Sequence, residues 1–211
     1  MIDLHTHLLP SVDDGPDSWD ESIKMVRMAH SDGTRTLVAT AHQHSVGDYR
    51  NTNAELKMQV QELQQRAQDC NIDVTVHPGG EVLASPDLVD RLQREEALTL
   101  ADGGRYLLLE FPASEIPIYA DQLVFDVQLQ GITPIIAHPE RNDGFARDPE
   151  ALVRLVEAGA LVQLTASSFS ARVSSTTREL AVLFLTHDLV HILASDAHSV
   201  AHRPPLLARY V

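Results

Sequence analysis

Short runs of aliphatic and β-branched residues alternate along the chain with segments in which apolar residues recur every three or four positions. The runs are typical of strands, and the recurring pattern is typical of amphipathic helices. Seven runs predict strands: Ile2–His5, Arg35–Thr40, Asp73–His77, Tyr106–Glu110, Thr133–Ala137, Ala160–Leu164 and Val190–Ala194. Mostly apolar strands separated by helices indicate a parallel sheet covered by helices, either an open doubly wound sheet or a barrel.

Several helix ends carry local signals. Ser18 to Glu21 and Thr52 to Glu55 predict capping boxes. Serine or aspartate followed by proline, at Ser85-Pro86 and Asp148-Pro149, predicts an N-cap and a first helical residue. A further helix is expected to begin at Thr176. Glycines are expected to end two helices, at Gly131 and Gly159.

The composition is that of an ordinary globular protein, with 211 residues of which 44% are hydrophobic and 22% charged. This length predicts one domain over residues 1–211. The chain has no apolar run of about 18–20 residues and no signal-peptide pattern, so we expect no membrane insertion. The formal net charge of -14 argues against binding to nucleic acid or to a membrane surface. A single cysteine, Cys70, favours a reducing compartment and a cytoplasmic protein.

Histidines and carboxylates lie at or just beyond the carboxyl ends of six of the seven predicted strands. In α/β barrels this is the end where active sites are built. The candidate metal ligands are His5, His7, Asp14, His42, Glu81, Glu110, His138, Asp196 and His198. Without a cysteine among them, the set suits Mn, Zn or Fe rather than a structural thiolate zinc site. It is too large for one ion and sufficient for two or three.

Such a set supports hydrolysis, because a water held between divalent ions ionises near neutral pH and becomes a nucleophile. The side chains of Arg141 and Arg203 could hold phosphate oxygens with two hydrogen bonds each. Cys70 lacks the neighbours of a thiol nucleophile, so we expect it to be a packing residue. Asp13 is expected to form a turn before Gly15.

Four motifs occur in series: Met1-Ile2-Asp3-Leu4-His5-Thr6-His7, Asp13-Asp14-Gly15-Pro16, His138-Pro139-Glu140-Arg141, and Ser195-Asp196-Ala197-His198 followed by Arg203-Pro204-Pro205. In this order they resemble the PHP (polymerase and histidinol phosphatase) superfamily over nearly the whole chain. More closely, they resemble its bacterial manganese-dependent protein-tyrosine phosphatases from capsule and exopolysaccharide operons.

The resemblance implies a distorted seven-stranded (β/α)7 TIM-like barrel that binds up to three divalent ions. It assigns the first ion to His5, His7, Glu81 and Asp196, the second to Glu81, Glu110 and His138, and the third to Asp14, His42 and His198. His44 is a rival to His42, because the motif after the second strand is Ala41-His42-Gln43-His44. Arg141 and Arg203 match phosphate-binding arginines.

The implied substrate is a phosphotyrosine protein, namely a bacterial tyrosine autokinase that controls polysaccharide synthesis. A metal-activated hydroxide would attack the phosphorus, and Asp196 or a nearby histidine would assist proton transfer. The alternative is a small phosphomonoester such as histidinol phosphate. The short loop Ser45–Asn51 bears on phosphopeptide selectivity, and the implied protein can form a homo-oligomer.

Overall fold

The computed structural model describes residues 1–44 and 49–211; residues 45–48 of the loop Ser45–Asn51 lie outside the described part. Seven parallel strands form one sheet in chain order. They are β1 (Ile2–Thr6), β2 (Thr36–Gln43), β3 (Thr75–Leu83), β4 (Tyr106–Glu110), β5 (Thr133–Ala137), β6 (Leu161–Thr165) and β7 (Ile192–Ala194). A parallel bridge from Thr6 to Ala197 brings the last strand back to the first. The barrel is thus nearly closed, which confirms the TIM-like fold.

Helices connect the strands on the outside of the barrel. In the described ranges they are α1 (Trp19–Ser31), α2 (Asn53–Asp69), α3 (Leu88–Gln93), α4 (Ala120–Leu129), α5 (Asp143–Arg147), α6 (Glu150–Glu157) and α7 (Ser175–Thr186). None of these helices is both long enough and apolar enough to span a bilayer.

Several of the capping residues and helix-ending glycines that the sequence predicts are found at helix ends in the structure. Thr52 and Glu55 form a reciprocal capping box at α2, and Ser18 accepts a hydrogen bond from Glu21 N at α1. Gly131 and Gly159 have φ values of 77° and 97°, a left-handed conformation that glycine adopts readily at a helix end.

Three expected helix starts are wrong. The N-cap of α6 is Pro149 and its first residue is Glu150, one position later than Asp148-Pro149 predicts. The first residue of α7 is Ser175, and its N-cap is Ser174, whose side chain accepts from Thr177 N. Ser174 provides that acceptor before Thr176 is reached. The first residue of α3 is Leu88, not Pro86, and Ser85 instead directs its hydroxyl to Asp87 Oδ1 at 2.6 Å.

The second and third strands are longer than the sequence predicts, so His42 and Glu81 lie within β2 and β3. The segment Pro78-Gly79-Gly80 has turn-like residues but remains extended. A Cβ on Gly79 would lie 2.8 Å from Val38 Cγ1, and one on Gly80 would overlap the side chain of Gln43. These glycines therefore allow close packing of neighbouring side chains rather than a turn.

Apolar residues form an outer layer between sheet and helices and a smaller cluster inside the barrel. The inner cluster includes Val38, Leu108 and Ile135, with Leu4 and Ile192 packed against it. Polar residues lie beyond this cluster, towards the carboxyl ends of the strands. The apolar interior therefore forms a floor beneath them, and burial of such side chains contributes about 25 cal/mol per Å².

A carboxylate completes the join between β7 and β1. Asp3 Oδ1 accepts hydrogen bonds from Ser195 N at 3.0 Å and from His5 N at 3.4 Å. Nearby, Asp196 N donates to His5 O at 2.9 Å, and His7 N donates to Ala197 O at 2.8 Å. Burial raises the pKa of Asp3 to about 6. This junction aligns the two strand ends that carry four of the candidate ligands.

Candidate metal centre

Two histidines and two carboxylates converge where β1, β3 and β7 end. His5 Nε2 and His7 Nε2 lie 3.2 Å apart, and each is 3.2 Å from Glu81 Oε2. Asp196 Oδ1 lies 3.5 Å from His5 Nε2 and 3.7 Å from His7 Nε2. Donors that bind one ion at about 2.0–2.2 Å lie within about 4.4 Å of each other. These separations therefore suit one shared cation.

Glu81 extends the cluster towards β2, β4 and β5. Its Oε1 accepts a hydrogen bond from His138 Nε2 at 2.7 Å. On the other side, His42 Nδ1 lies 3.2 Å from Glu81 Oε2 and 3.5 Å from Glu110 Oε2. The structure thus brings His138 and Glu110 to Glu81, as the family resemblance implies, and it adds His42 to that group.

A third group lies nearer the surface. Asp14 Oδ1 is 3.1 Å from His198 Nε2 and 3.5 Å from His42 Nε2. The ring of His7 packs against that of His198, with centroids 3.8 Å apart. All nine candidate ligands therefore occupy one continuous cluster. His44 lies outside it, exposed, with Nε2 3.4 Å from Glu96 O.

Hydrogen bonds from the Nδ1 atoms orient three of the rings. His5 Nδ1 donates to Gln163 Oε1 at 2.9 Å, His7 Nδ1 donates to Asp13 Oδ2 at 2.8 Å, and His198 Nδ1 donates to Asp196 O at 3.0 Å. A neutral imidazole that donates from Nδ1 has its lone pair on Nε2. These lone pairs face one another and the carboxylates across the cluster.

This donor set fits divalent cations. Lone pairs and carboxylate oxygens about 3 Å apart repel each other unless a proton or a cation lies between them. Within the described residues, three buried cluster atoms have no hydrogen-bond partner: His42 Nδ1, His198 Nε2 and Asp196 Oδ1. Nitrogen and oxygen donors without sulfur match Mn, Zn or Fe.

Burial and neighbouring charges shift the pKa values of the acids and bases in the cluster, and the shifts differ in direction from group to group. Burial and the nearby charge of Glu81 raise the pKa of Glu110 to about 7. Burial alone would raise the pKa of Asp196, but the charges of His5 and Arg203 hold it well below its usual range. Burial opposes protonation of His138, yet the charge of Glu81 raises its pKa to about 9. The cluster thus places carboxylates and histidines so close together that each strongly shifts the pKa of its neighbours, as expected where cations bind.

Two of the candidate ligands have strained backbones. His138 and Asp196, which follow β5 and β7, have φ values of 31° and 51°. Non-glycine residues rarely adopt this left-handed conformation, and it costs about 1–3 kcal/mol where it occurs. At both positions the turn places the side chain in the ligand cluster. Strain of this kind is concentrated at functional sites.

A cleft of about 200 Å³ opens above the cluster. Arg141 and Arg203 line it, and both pair with Asp196 Oδ2, Arg141 through Nη1 at 3.1 Å. Within the described part of the chain, Arg203 Nε has no hydrogen-bond partner. The cleft thus presents guanidinium donors beside the ligand cluster.

Apolar residues also form part of the cleft wall. Phe111 and Phe145 stack there, with ring centroids 5.8 Å apart, beside Ala113. Asn142, the N-cap of α5, connects the segment after β4, which carries Phe111, to α5, which carries Phe145. Its Nδ2 donates to Pro112 O at 2.7 Å, and its Oδ1 accepts from Gly144 N at 2.7 Å. The cleft therefore combines a cationic, ligand-rich side with a supported apolar wall.

Comparison with known proteins identifies the family. The family model described as "Capsular polysaccharide synthesis, CpsB/CapC" matches residues 1–211. The chain belongs to the CpsB/CapC family. This membership confirms the resemblance that the motifs indicate.

Relatives of this CpsB/CapC-family chain carry names that describe an activity. The tyrosine-protein phosphatase YwqE of Bacillus subtilis is 38% identical over 96% of this chain and 79% of its own length. The tyrosine-protein phosphatase CpsB of Streptococcus pneumoniae is 30% identical over 98% of this chain and 86% of its own length.

A solved structure supports the same relationship. It is described among crystal structures of YwqE and CpsB, "unique metal-dependent tyrosine phosphatases". Its TM-score with this chain is 0.94 at 37% identity, and the match covers 100% of this chain and 84% of the solved chain. The fold is thus that of the CpsB/CapC family.

The sequence of this CpsB/CapC-family member does not by itself identify three supporting residues, Asp13, Asn142 and Gln163. Gln163 is a single buried amide in the apolar strand β6. An amide in such a strand is the feature of the sequence that could have marked it as a supporting residue. Asp13 does form the expected turn, because its Oδ1 accepts from Gly15 N at 3.0 Å. Its contact with His7 becomes evident only in three dimensions.

Proposed function

We propose that this chain is a metal-dependent protein-tyrosine phosphatase, with residues 1–211 acting as one phosphoesterase domain. The observation that carries the proposal is one cluster of nine nitrogen and oxygen donor residues, seven of which line the same cleft as two arginines. Membership of the CpsB/CapC family supports the same reaction. A thiol nucleophile is not part of the proposal, since Cys70 lies away from the cleft beside α1 and α2.

The proposed ligands are those that the family resemblance assigns. His5, His7, Glu81 and Asp196 would hold one ion, and Glu81, Glu110 and His138 a second. Asp14, His42 and His198 would hold a third. Proximity of His42 Nδ1 to Glu81 and Glu110 supports a contribution of His42 to the second group as well. We propose Mn²⁺ as the ion, with Zn²⁺ and Fe²⁺ as the alternatives that metal analysis distinguishes.

Divalent ions in such a site supply Lewis acidity and a water that ionises near neutral pH. The protein supplies orientation and charge. Arg141 and Arg203 would bind the phosphoryl oxygens and stabilise the charge that develops on them. The charges of His5 and Arg203 hold the pKa of Asp196 well below its usual range, so its carboxylate stays ionised and is suited to holding cations rather than to donating a proton. Its Oδ2 holds both arginines at the edge of the cleft.

The apolar wall supports an aryl phosphate as substrate. Phe111, Ala113 and Phe145 form part of the cleft lining, with the two phenyl residues almost fully buried beneath it. An aromatic ring gains free energy when such a surface excludes water from it. A phosphotyrosine side chain would place its ring on this wall and its phosphoryl group between the arginines and the cluster.

We further propose a tyrosine-phosphorylated autokinase of polysaccharide synthesis as the protein substrate. A cytoplasmic location and homo-oligomer formation are parts of the same hypothesis. Family membership in capsular polysaccharide synthesis supports the substrate, and the single cysteine is consistent with a reducing compartment. Size-exclusion chromatography with light scattering would determine the oligomeric state.

The test is release of phosphate from a tyrosine-phosphorylated peptide. The full chain, freed of metal by chelation, would be assayed alone and with Mn²⁺, Zn²⁺ or Fe²⁺. We expect activity that Mn²⁺ restores and EDTA abolishes, with little turnover of a phosphoserine peptide of the same sequence. His7→Ala should abolish the activity.

Histidinol phosphate would be assayed in parallel. A higher kcat/KM for histidinol phosphate than for the phosphotyrosine peptide would replace the protein substrate with a small phosphomonoester. Absence of phosphate release from either compound by a protein with bound ions would refute a phosphatase function.

A further inference from the structure

The Asp13 carboxylate lies between the ends of β1 and β2, and its side chain is fully buried. Oδ2 accepts two hydrogen bonds, from His7 Nδ1 at 2.8 Å and from His42 N at 3.0 Å. Oδ1 accepts a third, from Gly15 N at 3.0 Å. One carboxylate therefore contacts two of the candidate ligands, which come from different strands.

The turn after Asp13 is packed tightly against His7. A Cβ on Gly15 would lie 3.0 Å from Asp13 Oδ1 and 3.1 Å from both Cβ and O of His7. Asp14 is thus held between two residues whose positions are fixed relative to His7. Its carboxylate, 3.1 Å from His198 Nε2, is directed into the outer part of the cluster.

A turn alone would not require this residue type. The hydrogen bond to Gly15 N uses one oxygen, which asparagine or serine could also provide. The remaining two donors, His7 Nδ1 and His42 N, need a second acceptor atom. An asparagine has one acceptor oxygen, so it could serve either Gly15 or the two histidines, but not both.

We propose that Asp13 is a positioning residue that sets the spacing between the inner and outer parts of the metal centre. It holds the His7 ring with Nε2 towards His5 and Glu81, and it fixes the backbone of His42 beside the same ring. This inference rests on the proposed metal-dependent function. Carboxylates that orient ligating histidines typically change metal affinity 10–100-fold when they are removed.

The experiment measures metal binding by the full chain without reference to turnover. Wild type, Asp13→Ala and Asp13→Asn would be titrated with Mn²⁺ by calorimetry, and bound metal would be counted after gel filtration. We expect Asp13→Ala to bind Mn²⁺ about 10–100-fold more weakly and to retain fewer ions. Asp13→Asn is nearly isosteric with the wild type, so this variant is the less prone of the two to unfold. Its affinity for Mn²⁺ should lie between those of wild type and Asp13→Ala.

A matched control removes a different local contact. Ser18→Ala deletes the N-cap of α1, which lowers stability without touching a candidate ligand. We expect it to bind Mn²⁺ as wild type does. Equal weakening in Ser18→Ala and Asp13→Ala would show that stability alone is responsible and would overturn the inference.

A spectroscopic readout tests the orientation of His7 directly. In Zn²⁺-loaded protein, ¹⁵N NMR should show His7 protonated at Nδ1, with a slowly exchanging proton that is lost in Asp13→Ala. Metal affinities of Asp13→Ala within twofold of wild type would overturn the inference and leave the proposed function standing. Conversely, wild-type protein that binds ions but hydrolyses no phosphotyrosine would overturn that function only.

Discussion

At the scale of single residues, Asp196 joins the two halves of the cleft. Its Oδ1 faces His5 and His7, whereas its Oδ2 pairs with Arg141 and Arg203. Thr165 Oγ1 donates a further hydrogen bond to Oδ2 at 3.3 Å. The carboxylate therefore fixes the distance between the two cleft arginines, which we propose bind phosphate, and the ligand cluster.

We expect the shape of the Arg141 guanidinium, and not only its charge, to contribute to catalysis. Arg141→Lys keeps the charge but loses the planar fork that can hold Asp196 and a phosphoryl oxygen together. We expect kcat/KM for a phosphotyrosine peptide to fall about 10²-fold, the scale for losing one transition-state donor. Steady-state kinetics with a count of bound metal would test this.

The control for that substitution is Arg154→Lys. Arg154 lies on α6 and pairs with Asp148 at 3.1 Å, with both side chains about half exposed. Its kinetics should match wild type. A loss in Arg141→Lys that coincides with loss of bound metal would contradict a role in phosphate binding alone.

Residue types and their positions at strand ends are sufficient to predict which side chains meet, because parallel strands bring their carboxyl ends together. The contacts of Asp13 and Gln163 are not predictable in this way. Asp13 is near His7 in sequence, but its contact with His42 depends on the pairing of β1 with β2. Gln163 reaches His5 across 158 positions of sequence.

At the scale of elements, the junction between β7 and β1 depends on a buried acid. Asp3 has a pKa of about 6 in the folded protein against an ordinary value of 3.8. A raised folded-state pKa means that the folded protein binds the proton more tightly than the unfolded chain. The stability that this gives is complete below about pH 3.8 and is lost as the pH rises through 6.

Asp3→Asn should remove this pH dependence while keeping an oxygen for Ser195 N. Relative to the variant, wild type should lose about 2–3 kcal/mol of unfolding free energy between pH 4 and pH 7. Urea unfolding of both proteins across this range would measure the difference. A difference that stays constant with pH would mean that Asp3 has the same pKa in the folded and unfolded protein, which would contradict the raised pKa.

The apolar wall of the cleft depends on contacts between the segment after β4 and helix α5. Asn142→Asp keeps the cap of α5 but replaces the donor to Pro112 O with an oxygen that repels it. We expect a loss of about 1–3 kcal/mol of stability, faster hydrogen exchange at Asp143 N, which donates to Ala113 O, and a higher KM for a phosphotyrosine peptide. Unchanged exchange at Asp143 would contradict this role.

The strands and most helices follow from patterns that act locally, so the sequence predicts them well, whereas the strand order of a barrel is implied only by the family resemblance. The ends of β2 and β3 depend instead on packing across the sheet. Gly79 and Gly80 suggest a turn, but they lie in a strand because Val38 and Gln43 occupy the space above them. Local propensity does not contain that information.

At the scale of the whole molecule, candidate ligands come from six of the seven strand ends, so cation binding and barrel stability should be coupled. An ion that binds only the folded protein at 100 times its dissociation constant adds about 2.7 kcal/mol. For a chain of this size that corresponds to a rise of about 5–10 °C in the melting temperature.

We therefore expect Mn²⁺ to raise the melting temperature of chelated protein and EDTA to reverse the rise, as measured by differential scanning calorimetry. His198→Ala should show a smaller rise, because it removes one donor from the outer group. Ser18→Ala should melt at a lower temperature but retain the full increment, because its defect lies in α1. An equal increment in wild type and His198→Ala would show that the added ion binds elsewhere, since a shared cluster at the strand ends requires each donor to contribute.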